Sequence, residues 1–128
     1  MAFKLHDAIL KLREKEEVLQ EKSNLLENIL DCSSDFIFVK DRELRTILCN
    51  DTVAKSVGKT RFELYGHNDI ENGVDIELVK GNPEKGIRGY EQDDREALSG
   101  KTIYNHSDLV YTDGKVYVFD TIKRPLKK

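Results

Sequence analysis

The sequence predicts an α+β domain: an antiparallel sheet with short helices inserted on one face, preceded by a long amphipathic helix. Three observations lead there. Residues 4–30 contain no Pro or Gly and are rich in Leu, Glu and Lys, the composition of a continuous helix. Phe36–Val39 and Thr46–Cys49 are apolar runs around the charged turn Asp41–Arg45. Lys101–Tyr111 and Lys115–Leu126 flank Thr112-Asp113-Gly114, and Asp-Gly is a strong hairpin signal. Strands at both ends with helices between them favour one sheet with helices on one face.

In the long helix, Leu5, Leu12, Leu19 and Leu26 recur every seven residues. Ile9 and Leu30 hold the matching row four residues on, which Glu16 and Ser23 interrupt. The seam is a broken heptad. Val18, Leu25 and Ile29 add a second stripe, so the apolar face widens toward the C-terminal end. Such a helix is about 40 Å long, more than a small sheet covers. Two arrangements suit it: an amphipathic helix folded back on its own domain, or a parallel coiled coil with a second copy. The leucine seam favours the second, because a lone helix leaves that surface in water. Leu5, Ile9, Leu12, Leu19 and Leu26 are the candidate dimer contacts. The expected division is 1–24 as coiled-coil or signalling helix and 25–128 as the domain.

After the first hairpin, Asn50 is an N-cap signal for a helix over Asp51–Val57, stopped by Gly58. Thr60-Arg61-Phe62-Glu63 is a capping box whose helix ends at Gly66. Residues 67–85 read as an irregular connection with a short turn near Ile76–Val79. A helix over Ile87–Ser99 follows and ends at Gly100. It carries Glu91, Asp93, Asp94 and Glu96, read as a solvated acidic face whose early acids suit the helix dipole. In the last strand Tyr117, Phe119 and Thr121 alternate with Val118, Asp120 and Ile122, giving one aromatic and one mixed face. Pro125 ends the regular pairing.

Charged residues make up 35% of the 128 and the net charge is −3. A mixed surface of this kind has no broad electrostatic reason to bind nucleic acid or membrane. No apolar run approaches the roughly 20 residues of a membrane span, and no secretory signal is visible. A cytoplasmic location is expected. Without a secretory context, Cys32 and Cys49 are not expected to form a disulfide; Cys49 reads as a small core residue.

These pieces, in this order, resemble a PAS domain over about Leu25 to Leu126. Leu25-Leu26-Glu27-Asn28-Ile29-Leu30 with Asp35-Phe36-Ile37-Phe38-Val39-Lys40-Asp41 resembles the entry helix and first strand. Thr46 to Asn50 resembles the second strand and its cap. Gly58 to Gly66 fits a Gly-x-Thr-x-x-Glu-x-x-Gly helix pair, Asp94 to Gly100 the end of the long helix, and Thr121 to Leu126 the end of the fourth strand. The resemblance implies five strands. Four are read here, so the domain is expected to lack its last strand, leaving an open edge. It also implies that Asp94, at a recurrent family position, braces its helix against a neighbouring loop.

The resemblance implies a cavity between the inner sheet face and the helices. Its candidate lining is Phe38, Ile47, Cys49, His106, Tyr117, Phe119 and Thr121. Haem-binding relatives take an axial His from the helix before the third strand, and Ile87–Ser99 has none. The Asn-Cys-Arg-Phe-Leu-Gln motif of flavin photosensors is absent. The sequence therefore argues against haem and flavin and names no other cofactor. His6, His67 and His106 are isolated, with no metal-ligand spacing. The glycines stand alone, without a phosphate-loop pattern, and no catalytic nucleophile, base and orienting partner can be assembled. The expected function is a sensory or signal-relay module of a bacterial histidine kinase, diguanylate cyclase, chemoreceptor or similar regulator. It would bind a small molecule, dimerise, or both, and act on a covalently linked effector domain. The alternative is a ligand-independent dimerisation or scaffold module.

Overall fold

The computed structural model describes residues 2–126, and for residues 2–5 the backbone alone. The Leu5 side chain therefore lies outside the described residues. The chain divides into two compact units after Asp35.

The first unit is helix α1, Ala2–Asp31. It runs unbroken because its interior lacks Pro and Gly. Leu12, Leu19 and Leu26 are all exposed, Leu19 to 66%. Ile9, Val18, Leu25 and Ile29 are exposed as well, whereas Leu30, at the end of the row that holds Ile9, is buried.

The second unit opens with the first hairpin, β1 (Phe38–Lys40) and β2 (Thr46–Cys49). Phe38 pairs with Cys49 and Val39 with Leu48, antiparallel. The Asp41 carboxylate organises the turn. It accepts from the backbone N–H of Glu43 at 3.0 Å and of Arg45 at 2.9 Å. Asn50, fully buried, caps α2 (Asp51–Ser56) by accepting from Val53 N–H at 3.3 Å. The same Oδ1 accepts from Ile37 N–H at 3.4 Å, so one side chain joins strand entry to helix start.

Helix α3 (Arg61–Leu64) begins at the Thr60–Glu63 capping box, with Thr60 N–H donating to Glu63 Oε1 at 3.2 Å. Cys49, Ala54 and Leu64 form the small core here, with Phe38, Val53, Val57 and Tyr65 packed against it. The Tyr65 hydroxyl donates to the Cys49 carbonyl at 3.3 Å.

Helix α4 (Ile76–Lys80) leads through a 3₁₀ turn at Pro83–Lys85 to α5 (Tyr90–Leu98). Helix α5 starts three residues later than expected. Ile87 is held in a bridge to Asn82, and Gly89 adopts φ +101°, a conformation that interrupts a right-handed helix. Gly81 and Gly89 also let two backbones touch. A Cβ on Gly81 would lie 2.5 Å from the Arg88 carbonyl oxygen, and one on Gly89 2.8 Å from Gly81 N.

Strands β3 (Ile103–Thr112) and β4 (Lys115–Lys123) form the second hairpin. Thr112 pairs with Lys115, leaving a two-residue loop in which Asp113 and Gly114 take φ +53° and +69°, as a type I′ turn requires. A register shift between Asn105 and Asp108 marks a bulge. The strands form two separate two-stranded sheets, β1–β2 and β3–β4, within this unit. Helices and antiparallel strands make the domain α+β. The expected continuous sheet is divided because no described strand hydrogen-bonds to both hairpins. Side chains link the hairpins instead: the Phe36 and Phe119 rings meet edge to face, centroids 4.9 Å apart.

Candidate functional site

The inward face of β4 carries Tyr117, Phe119, Thr121 and then Lys123, continuing the alternation one step beyond the aromatic series. Lys123 is buried, as is Asp94 on α5. Lys123 Nζ lies 2.9 Å from Asp94 Oδ1, and Lys40 Nζ of β1 lies 2.6 Å from Asp94 Oδ2. Lys40 also reaches Asp69 at 2.6 Å. One carboxylate thus receives a lysine from each hairpin. Asp94 does brace its helix, but against two strands and not a loop. Burial alone would push the Lys40 ammonium down, but Asp69 and Asp94 outweigh it and hold its pKa above the ordinary value. Both ammonium groups lie over the Phe38 ring, Lys40 at 5.3 Å and Lys123 at 5.9 Å from its centroid.

Asp93 is 1% exposed. It accepts from Arg88 Nε at 2.8 Å and from Asn105 Nδ2 at 3.4 Å, while Arg88 Nη2 reaches Glu96 at 2.8 Å. The sequence expectation of a solvated acidic face is corrected here for Asp93, while Asp94, already set apart as a bracing residue, is buried with it. Asp93 and Asp94 point inward because the buried cations Lys40 and Lys123, and Arg88 beside them, supply the partners that make burial tolerable.

Beside this network is a cavity of about 90 Å³ between the α4–α5 connection and the bulged part of β3. Arg88, Tyr90, Asn105, Ser107 and Asp108 supply its polar lining. The Tyr90 hydroxyl donates to the Leu109 carbonyl, and burial pushes its pKa up. Ser107 N–H donates to Asn105 Oδ1 at 3.0 Å, which fixes the bulge. The Asp108 carboxyl is raised above its ordinary range, first by burial and against the Thr121 hydroxyl hydrogen bond and the charge of Lys123.

The positions expected to line a pocket are distributed as follows. Phe38 lies under the two lysines of the network, Phe119 packs against Phe36, and Thr121 bonds to Asp108. Cys49 sits in the small core, where burial pushes its thiol up to about 11. Tyr117 stands next to Phe119, ring centroids 6.5 Å apart. Ile47 is 52% exposed. His106 faces outward, its side chain 81% exposed and its Nδ1 3.1 Å from Asp120. None of the seven lines the 90 Å³ cavity. The residues not singled out from the sequence are Lys40, Arg88, Tyr90, Asn105, Asp108 and Lys123. For Lys123 a signal existed, since it falls in step with Tyr117, Phe119 and Thr121. Arg88 and Asn105 carried none, because their positions depend on how a loop and a bulge fold.

Both hairpins, the helices between them and the buried site belong to one kind of fold. The PAS-fold family model matches residues 30–128, and the chain belongs to that family. Its members are sensory or signalling modules and are generally non-catalytic. Comparison with curated proteins and with solved structures gives no match. Among the described residues, no helix is long and apolar enough to cross a membrane, and no group of three or more His, Cys, Asp or Glu side chains is placed to hold a metal ion.

Proposed function

We propose that this chain is the sensory and signal-relay module of a larger cytoplasmic bacterial regulator of the histidine kinase, diguanylate cyclase or chemoreceptor type. The observation that carries the reading is the exposed leucine row of α1, Leu12, Leu19 and Leu26. A helix with this seam is stabilised by a second copy, and paired helices can transmit a rotation or register change to a linked effector. Ile9 joins the same interface, and Leu5 would extend it. A ligand in the PAS unit would bias the relay only through its different affinity for the two states, typically a few kcal/mol. Leu12→Glu combined with Leu19→Glu tests the pairing: sedimentation should show a wild-type dimer converted to monomer. A wild-type chain that sediments as monomer at all concentrations refutes the dimeric relay.

The second reading is a dimerisation or scaffold module that needs no ligand. The small size of the cavity, about 90 Å³, favours it, because pockets for larger ligands usually span several hundred Å³. Under this reading the double variant still dissociates, but no small molecule changes output in the full-length regulator.

A further inference from the structure

The charged network around α5 holds an excess of acid. Lys40, Lys123 and Arg88 are its cations, and Asp69, Asp93, Asp94, Glu96 and Asp108 its carboxyl groups. Four of those acids have a cation within 2.8 Å. Asp108 does not: among the described residues no cation comes within ion-pair distance of it, and Lys123 acts only from further away. Yet Asp108 is 8% exposed and lines the 90 Å³ cavity.

Two local features open that cavity next to the carboxyl. The β3 bulge puts the additional residue Ser107 in its wall. The connection before α5 contributes Gly86 and Gly89, which carry no side chains to fill it. Arg88, the one guanidinium in the lining, is already engaged by Asp93 and Glu96. An anionic ligand would meet surplus negative charge and no available cation. A cationic one would supply the missing partner.

We propose that this cavity binds a small protonated amine, with the Asp108 carboxylate as its counter-ion and the bulged Ser107 beside it. The small volume, about 90 Å³, limits the size of the occupant. The occupant therefore has only a few heavy atoms, as methylammonium or ethanolamine does. The raised pKa of Asp108 agrees with this: a buried carboxyl without its cation favours the neutral form, and a bound ammonium would draw it back down. The proposal names the ligand class for the sensory reading above and rests on it.

The test uses the whole chain and methylammonium and ethanolamine chlorides, with potassium chloride at matched ionic strength and sodium acetate as controls. A saturable rise in melting temperature is expected with the amines and not with acetate. In amide correlation spectra the perturbed resonances should cluster at residues 86–90 and 105–109. Asp108→Asn should weaken amine affinity at least about tenfold, the loss of a charged hydrogen bond. Asp120→Asn, which alters an exposed acid on the other face, should leave it unchanged. The wild-type amide map makes the test independent of whether the Asp108 variant folds. The proposal is overturned if neither amine gives a saturable change up to tens of millimolar, if acetate binds in its place, or if Asp108→Asn binds as wild type. A different ligand class perturbing the same amides would reject the amine while keeping the sensory reading.

Discussion

At the scale of single residues, Asp94 holds the most. It accepts two buried lysines, one from β1 and one from β4. Asp94→Ala should strand the Lys123 ammonium away from water and leave Lys40 with Asp69 alone, and removing one partner of a buried pair costs about 3–5 kcal/mol. Chemical denaturation should show that loss, while Asp120→Ala, at an exposed site, stays within about 0.5 kcal/mol of wild type. Asp108 behaves in the opposite sense. Its folded pKa is raised, so its contribution to stability is complete below the unfolded value near 3.8 and is lost as pH rises through the folded pKa. At neutral pH the ionised form is therefore a burden. The melting temperature of Asp108→Asn, taken relative to wild type, should be more favourable at pH 7 than at pH 4. A difference that runs the other way would contradict the burial account. Cys49 and Cys32 give a further contrast. Cys49 is buried with its thiol pushed up to about 11, and Cys32 is exposed. Iodoacetamide at pH 8 should modify Cys32 alone until the domain is unfolded.

At the scale of elements, the difference between what the sequence shows and what it hides follows the range of the interactions. The cap at Asn50, the box at Thr60–Glu63 and the Asp113-Gly114 turn are set by neighbours in sequence, and each stands where the pattern places it. Helix α5 does not, because its start depends on the contact between Gly81 and Gly89. That contact yields a prediction. Gly114 and Gly89 both have positive φ, but a Cβ on Gly114 meets nothing within 4 Å, whereas one on Gly89 lies 2.8 Å from Lys80 C. Gly114→Ala should cost about 1 kcal/mol, the conformational penalty alone. Gly89→Ala adds a collision with backbone and should cost clearly more, measured by the shift in denaturation midpoint. The site was hidden for the same reason. The partners of Asp94 come from elements far away in sequence, Lys40 and Lys123 from the two hairpins, and Asp93 reads as a solvated acid because its partners Arg88 and Asn105 are placed by a loop and a bulge. Charge pattern along one helix cannot report a lysine contributed by another strand.

At the scale of the whole second unit, the two sheets share no backbone hydrogen bonds. Side chains connect them: the Phe36–Phe119 contact, Lys123 over the Phe38 ring and the Lys40–Asp94–Lys123 bridge, with α5 between. Cooperative folding across them must then pass through those few side chains, since each two-stranded hairpin alone is only marginally stable. This makes Asp94 more than a local stabiliser. Asp94→Asn keeps shape and hydrogen-bonding capacity but removes the charge that joins the two lysines. Native-state hydrogen exchange separates the two effects. In the wild type, the most protected amides of β1–β2 and of β3–β4 should exchange with the same opening free energy, as one cooperative unit. In the variant the two sets should diverge, one hairpin opening while the other stays protected. If both sets lose protection equally, Asp94 stabilises the domain without coupling its halves, and a relay of state between the sheets would need another route.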